Sequence, residues 1–140
     1  MVRDGFRSAA MSMEMTVLAL GCIFGIIQVF VAAQLQTRQN GLAWSLSSRE
    51  AAGQPPTPLA GRLKRAQANF LETFPFAASA LLAVEVTGAN NTTTELGAIV
   101  WLSARLAFWL AYAIGIPVLR SVLFATSIIG IGLVLWPLLA

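Results

Sequence analysis

Histidine is absent from this chain of 140 residues, cysteine occurs once, and only 11% of residues are charged. With no histidine and with Cys22 alone, a His/Cys metal site has no ligands and a disulfide framework cannot form. Cys22 lies inside an apolar run, where a lone thiol reads as a small core hydrophobe. The shortage of charge excludes more. A soluble domain carries about 25% charged residues. A chain with 11% charged and 57% hydrophobic residues and a mean hydropathy of +0.74 is too apolar to be a soluble domain with a large core. The net charge of +3 and the pI near 10.0 come from basic residues concentrated in one stretch. That pattern orients a membrane protein and predicts no nucleic-acid partner. The length suits one domain, residues 1–140.

Four apolar segments are long enough to cross a bilayer. Residues 15–35 carry no charge and no proline, and at 1.5 Å per residue they cover about 30 Å, the hydrocarbon thickness. Arg3 and Arg7 before the run and Ala32–Ala33 at its end raise the question of a signal peptide. The run exceeds the roughly 7–15 residues of a signal core, so it reads as a retained first helix. Met11, Met13 and Met15 are alternative start positions. Residues 36–64 hold Asn40–Gly41, Gly53 and Pro55–Pro56–Thr57–Pro58, and read as a loop. The second span is expected at 66–86 with a kink at Pro75, which neighbouring helices can cover. A polar turn follows, then spans at 96–116 and 121–139. The fold class is therefore all-α, an integral membrane four-helix bundle.

Basic residues set the orientation. Arg38, Arg49, Arg62, Lys64 and Arg65 fall in the first loop and Arg120 in the third turn, against Arg3 and Arg7 on the other side. The positive-inside rule then places the long loop in the cytoplasm and both termini outside, in a multi-pass inner (plasma) membrane. Arg49, Arg62 and Lys64 suit anionic lipid headgroups.

Charged groups at membrane depth are costly and mark functional candidates. Glu72 lies about 9 Å, and Arg105 about 16 Å, from the basic-loop face on helical geometry, so the two can meet. Either they form an ion pair that pins helices, or they belong to a binding site. Arg65, Asn69, Glu72 and Phe76 share one helical face, as do Arg105, Phe108, Trp109 and Tyr112. Arg38 follows the first span and Arg120 precedes the fourth. Four arginines around one carboxylate suit an anionic, carboxylate-bearing ligand, which guanidinium groups grip bidentately.

The run Arg65–Ala66–Gln67–Ala68–Asn69–Phe70–Leu71–Glu72–Thr73–Phe74–Pro75 opens the second span. It resembles the pattern Arg-Ala-x-x-Asn-x-x-Glu-[Thr/Tyr]-x-Pro of the membrane-associated proteins in eicosanoid and glutathione metabolism. Gln36–Thr37–Arg38, Ala104–Arg105, Tyr112 and Arg120–Ser121 extend the resemblance over nearly the whole chain from Thr16. Gly-Leu-Ala-Trp at 41–44 and Pro-Leu-Ala-Gly-Arg at 58–62 are most similar to the uncharacterised bacterial branch. The resemblance implies a homotrimer that binds glutathione as co-substrate between protomers. By position, Arg38, Arg65, Asn69, Glu72, Arg105 and Tyr112 would bind it. Arginines would hold its carboxylates and Glu72 its α-amino group, while Arg120 or Ser121 would stabilise the thiolate. The chain departs from the pattern at Thr73, a tyrosine in some members, and at Phe108, a tyrosine or histidine in others. Tyr112 and Arg120 are eight apart, one fewer than in the prostaglandin branch.

Two functions follow from the resemblance. One is a glutathione-dependent transferase or peroxidase acting on lipophilic electrophiles. The other is a non-enzymatic subunit of the same fold that binds membrane lipids or joins a larger membrane complex. A single unit without repeats or discontinuous helices does not match a transporter.

Overall fold

The computed structural model describes residues 11–140, which form helices joined by short connections, with no strand among them. The basic residues Arg3 and Arg7, used above for orientation, lie outside the described residues. The helices are α1 (Met13–Asn40), α2 (Leu42–Leu46), α3 (Pro58–Thr87), α4 (Thr92–Ile114) and α5 (Pro117–Leu139). All but α2 are long and apolar enough to span a membrane.

The helices run past the apolar segments that announce them. Helix α3 begins at Pro58 rather than near residue 66, and α1 ends at Asn40 rather than 35. Hydropathy measures where the bilayer ends, whereas caps decide where a helix ends. Thr57 Oγ1 accepts from the Ala60 N–H, and Pro58 sits at the first helical position, where a missing N–H costs nothing. At 28 and 30 residues, α1 and α3 are about 42 and 45 Å long, well beyond the roughly 30 Å of hydrocarbon. Their projecting ends carry Arg38, Arg62, Lys64 and Arg65. The expected loop over 36–64 shrinks accordingly and contains α2. Helix α5 likewise starts at Pro117, so Arg120 belongs to its first turn instead of preceding it. Pro75 lies inside the continuous α3.

Helices α3 and α4 form the middle of the bundle, and α1 and α5 each pack on both without meeting each other. In a membrane, helices gain little from hiding apolar surface from lipid, so close packing by small residues holds them together. A Cβ on Gly97 would lie 2.6 Å from the Gly130 carbonyl oxygen, and one on Gly130 would lie 2.7 Å from the Trp101 nitrogen. Backbone therefore meets backbone where α4 crosses α5. On the inward face of α1, Gly21 and Gly25 admit the rings of Phe70 and Phe74 from α3 and of Trp101 from α4. Phe70 meets Phe24 edge-on at 5.3 Å and stacks on Phe74 at 5.2 Å, and Phe74 lies 6.0 Å from Trp101. Each such pair contributes about 0.5–1.5 kcal/mol beyond its buried area.

The outer surface is apolar on every long helix, with Ile23, Phe30, Phe76, Leu110 and Ile129 among its exposed side chains. This is the pattern of a lipid-facing surface. Cys22 belongs to it: the thiol is exposed rather than in the core, because Gly21 and Gly25 take the inward positions of its turn.

Candidate functional site

The site begins with Arg105, a cation on the middle helix α4 whose side chain is 1% exposed. Its Nη1 donates to Asn69 Oδ1 at 2.9 Å and its Nη2 to Thr73 Oγ1, both on α3. Its guanidinium carbon lies 5.4 Å from the ring centres of Phe108 and of Phe124, so the charge is also held against two aromatic faces. Its Nε has no partner among the described residues. Phe108 and Thr73, two of the departures from the family pattern, thus help Asn69 and Phe124 to seat this arginine.

The expected meeting of Glu72 with Arg105 does not occur. Relative to Asn69, Glu72 is rotated by about −60° and Thr73 by about +40° around α3. Arg105 lies on the Thr73 side, and Glu72 is exposed. An ion pair inside this chain would need the opposite rotation.

Beside Arg105 lies a cleft of about 240 Å³, lined by Asn69, Phe108, Tyr112, Arg120, Ser121 and Phe124. The turn between α4 and α5 builds its far wall. Gly115 adopts φ +89°, a left-handed conformation that glycine accepts without strain, and its N–H closes on the Ala111 carbonyl. Pro117 then starts α5 at once. This tight reversal brings the Arg120 guanidinium carbon to 4.9 Å from the Tyr112 ring centre, despite the shortened spacing between the two. Ser121 Oγ donates to the Pro117 carbonyl at 3.2 Å, so its proton is turned towards its own helix.

The eight candidate residues therefore divide. Asn69, Tyr112, Arg120 and Ser121 line the cleft, with Arg105 buried behind Asn69. Arg65 and Glu72 are exposed along the same α3 face, and Arg38 is exposed near the end of α1. Arg62 has been drawn elsewhere: its guanidinium packs against the Gly115 turn. Arg49 lies over the Trp44 ring at 5.7 Å.

Sequence reading missed a second polar cluster at the opposite end of the bundle. Glu14, in the first turn of α1, is 1% exposed and accepts from Thr94 Oγ1 on α4. Ser12 Oγ and Asn90 Nδ2 both donate to Glu85 Oε2, at 2.6 and 3.0 Å. The cluster fastens the start of α1 to the turn between α3 and α4. Its available signal was Glu14 itself, a carboxylate directly before an uncharged apolar run. Gln28 is buried mid-helix, and neither of its amide atoms has a partner among the described residues.

No curated protein matches the chain. The MAPEG family matches residues 15–140, the segment that holds all four long helices almost whole and every residue of the cleft. A four-helix membrane bundle with Asn69, Arg105, Tyr112 and Arg120 gathered at one end thus belongs to the MAPEG family, the membrane-associated proteins in eicosanoid and glutathione metabolism.

Proposed function

We propose that this protein is a glutathione-dependent transferase or peroxidase acting on lipophilic electrophiles dissolved in the bilayer. The cleft that joins Asn69, Tyr112, Arg120 and Ser121 supports this reading most directly. Its volume of about 240 Å³ falls below the roughly 300–1,000 Å³ of small-molecule sites. A second copy of the chain would complete it, with Arg38 contributed across the junction and Arg65 and Glu72 facing into it. The assembly on this reading is a homotrimer.

Arg65 and Arg38 would hold the two carboxylates of glutathione, and Glu72 its ammonium group. Arg120 would sit beside the sulfur. A nearby cation lowers a thiol pKa from about 8.5 towards neutrality, which raises the fraction present as the nucleophilic thiolate. The thiol proton leaves to water. The thiolate sulfur then forms a bond to an electrophilic carbon, whose leaving group departs with the displaced electron pair. In the peroxidase variant, the thiolate sulfur attacks the distal peroxide oxygen, the O–O bond breaks, and the lipid alkoxide leaves and takes a proton. A second glutathione then attacks the resulting sulfenic acid and releases water, giving the disulfide. Ser121 would have to turn its hydroxyl away from Pro117 to assist, so Arg120 is the stronger candidate.

The test is glutathione binding to the detergent-solubilised protein. Wild type is expected to bind millimolar glutathione and to gain thermal stability. Arg65→Ala and Glu72→Ala should each weaken binding by about 10- to 100-fold, the loss of one charge-assisted contact. Arg120→Ala should keep most binding and slow conjugation of a lipophilic electrophile. If glutathione neither binds nor stabilises the wild type, the enzyme reading fails. The exposed Glu72 and the committed Ser121 hydroxyl then favour the non-enzymatic subunit of the same fold, joined to lipid or to a larger complex.

The site must also face the compartment that holds glutathione. In a Cys22→Ser background, Ser48→Cys should resist an impermeant thiol reagent added outside cells, and Asn91→Cys should react. Both positions are exposed. Reversed labelling would place the long loop and the cleft outside.

A further inference from the structure

A larger groove, about 450 Å³, lies between the projecting ends of α1 and α3, apart from the cleft described above. Its polarity changes along its length. Val29, Ala33, Gln36 and Asn40 occupy one face of α1 at spacings of four, three and four, so the wall turns from apolar to amide-bearing over about 16 Å. Across from it, Ala60, Lys64 and Gln67 form the α3 wall.

The roof is built rather than incidental. Gln39 on α1 donates to the Pro55 carbonyl and accepts from the Thr57 N–H at 3.2 Å, and Asn40 Oδ1 accepts from the Gln54 N–H at 2.6 Å. Gly53 closes over Trp44 so tightly that a Cβ would lie 2.8 Å from its ring. Gln39 and Asn40 thus spend their side chains on the loop. The side chains of Gln36, Lys64 and Gln67 make no hydrogen bond or ion pair among the described residues, and all three line the groove.

The charge arrangement narrows the occupant. Of the basic residues around this end, Arg62 is packed on the Gly115 turn and Arg49 on Trp44. Lys64 is the one cation in the groove lining. A single ammonium with two carboxamide donors matches a singly charged phosphodiester, and a lining with no carboxylate to face a choline ammonium favours an anionic headgroup over a zwitterionic one. The apolar floor below it, at the depth of Val29 and Ala32, matches the acyl chain that hangs from such a headgroup. A soluble anion would leave that floor unused.

We infer that the groove between α1 and α3 is a binding site for one anionic bilayer phospholipid per chain. Its phosphodiester is held by Lys64, Gln36 and Gln67, and an acyl chain runs down along Ala32 and Val29. The site is independent of glutathione binding, since it shares no residue with the cleft.

Native mass spectrometry of the whole protein, delipidated and titrated with dioleoyl phosphatidylglycerol or dioleoyl phosphatidylcholine, tests this. One phosphatidylglycerol per chain is expected to survive, with phosphatidylcholine retained less. Lys64→Gln should lower phosphatidylglycerol affinity about fivefold, the loss of one cation near a lipid phosphate, and Lys64→Arg should restore it. Arg49→Gln, a loop cation outside the groove, should leave affinity unchanged. Ala32→Phe should fill the floor and abolish the retained lipid. Equal retention of the two lipids, or equal loss with Arg49→Gln and Lys64→Gln, would overturn the site in favour of diffuse annular lipid. Undiminished retention in Ala32→Phe would overturn it as well. Should Ala32→Phe fail to fold, the lysine series decides alone.

Discussion

Arg105→Ala is expected to lower the stability of the bundle by about 2–5 kcal/mol, the range for emptying a large buried side chain. The side chain is 1% exposed, spans from α4 to Asn69 and Thr73 on α3, and fills the space between Phe108 and Phe124. Its loss removes all of these contacts at once and leaves the Asn69 amide without its donor. Thr73 suffers less, because its hydroxyl already donates to the Asn69 backbone carbonyl at 2.8 Å. Arg105→Met should recover a good part of the loss, since it refills the volume without a charge to desolvate. Glu72→Ala, an exposed position, should stay within about 0.5 kcal/mol of wild type in the isolated chain. Heating in detergent, followed by the fraction that remains monodisperse, measures all three. Comparable large losses in Arg105→Ala and Glu72→Ala would mean that the two residues are paired after all.

The second large effect is expected at the crossing of α4 and α5. Gly130→Ala places a methyl group 2.7 Å from the Trp101 nitrogen and 2.8 Å from the Gly97 carbonyl oxygen. Neither atom belongs to a flexible side chain, so the helices must separate. Overpacking of this kind costs about 1–3 kcal/mol, and a backbone clash belongs at the upper end. Gly97→Ala meets the Gly130 carbonyl oxygen at 2.6 Å and should cost a similar amount. The two changes share one gap, so the double variant should lose less than the sum of the singles. Gly132, two residues further on, has nothing within 4 Å of an added Cβ. Gly132→Ala should therefore be neutral or stabilise by up to about 1 kcal/mol through helix propensity. If Gly130→Ala and Gly132→Ala behave alike, the close approach of α4 and α5 is wrong.

The same crossing bears on the geometry of the cleft. Helices α4 and α5 carry Tyr112 and Arg120, and the Gly115 turn fixes one over the other. A shift of α5 by the width of a methyl group would disturb that alignment before the bundle unfolds. On the proposed function, a folded Gly130→Ala protein is therefore expected to lose glutathione binding.

What the sequence determined by itself was the existence of four membrane helices and the family. Both are written in one dimension: apolar runs of bilayer length, and the spacing of Arg65, Asn69, Glu72 and Pro75 along one helix. Arg105 could be picked out as anomalous for the same reason, since a charge within an apolar run needs no neighbour to be recognised. Tertiary structure decided everything that depends on rotation about a helix axis or on a partner far along the chain. Asn69 and Glu72 are three residues apart, and only the position of α4 settles that Arg105 meets the first and not the second. Cys22 is apolar enough for either surface or core, and the neighbouring glycines turned it outward. Helix ends escaped hydropathy because Thr57 and Pro58 continue α3 into water, where basic residues are at no disadvantage. The groove between α1 and α3 was least legible of all. It exists because Gln39 and Asn40 hold a loop whose hydrogen-bonding residues lie 14 to 18 positions away.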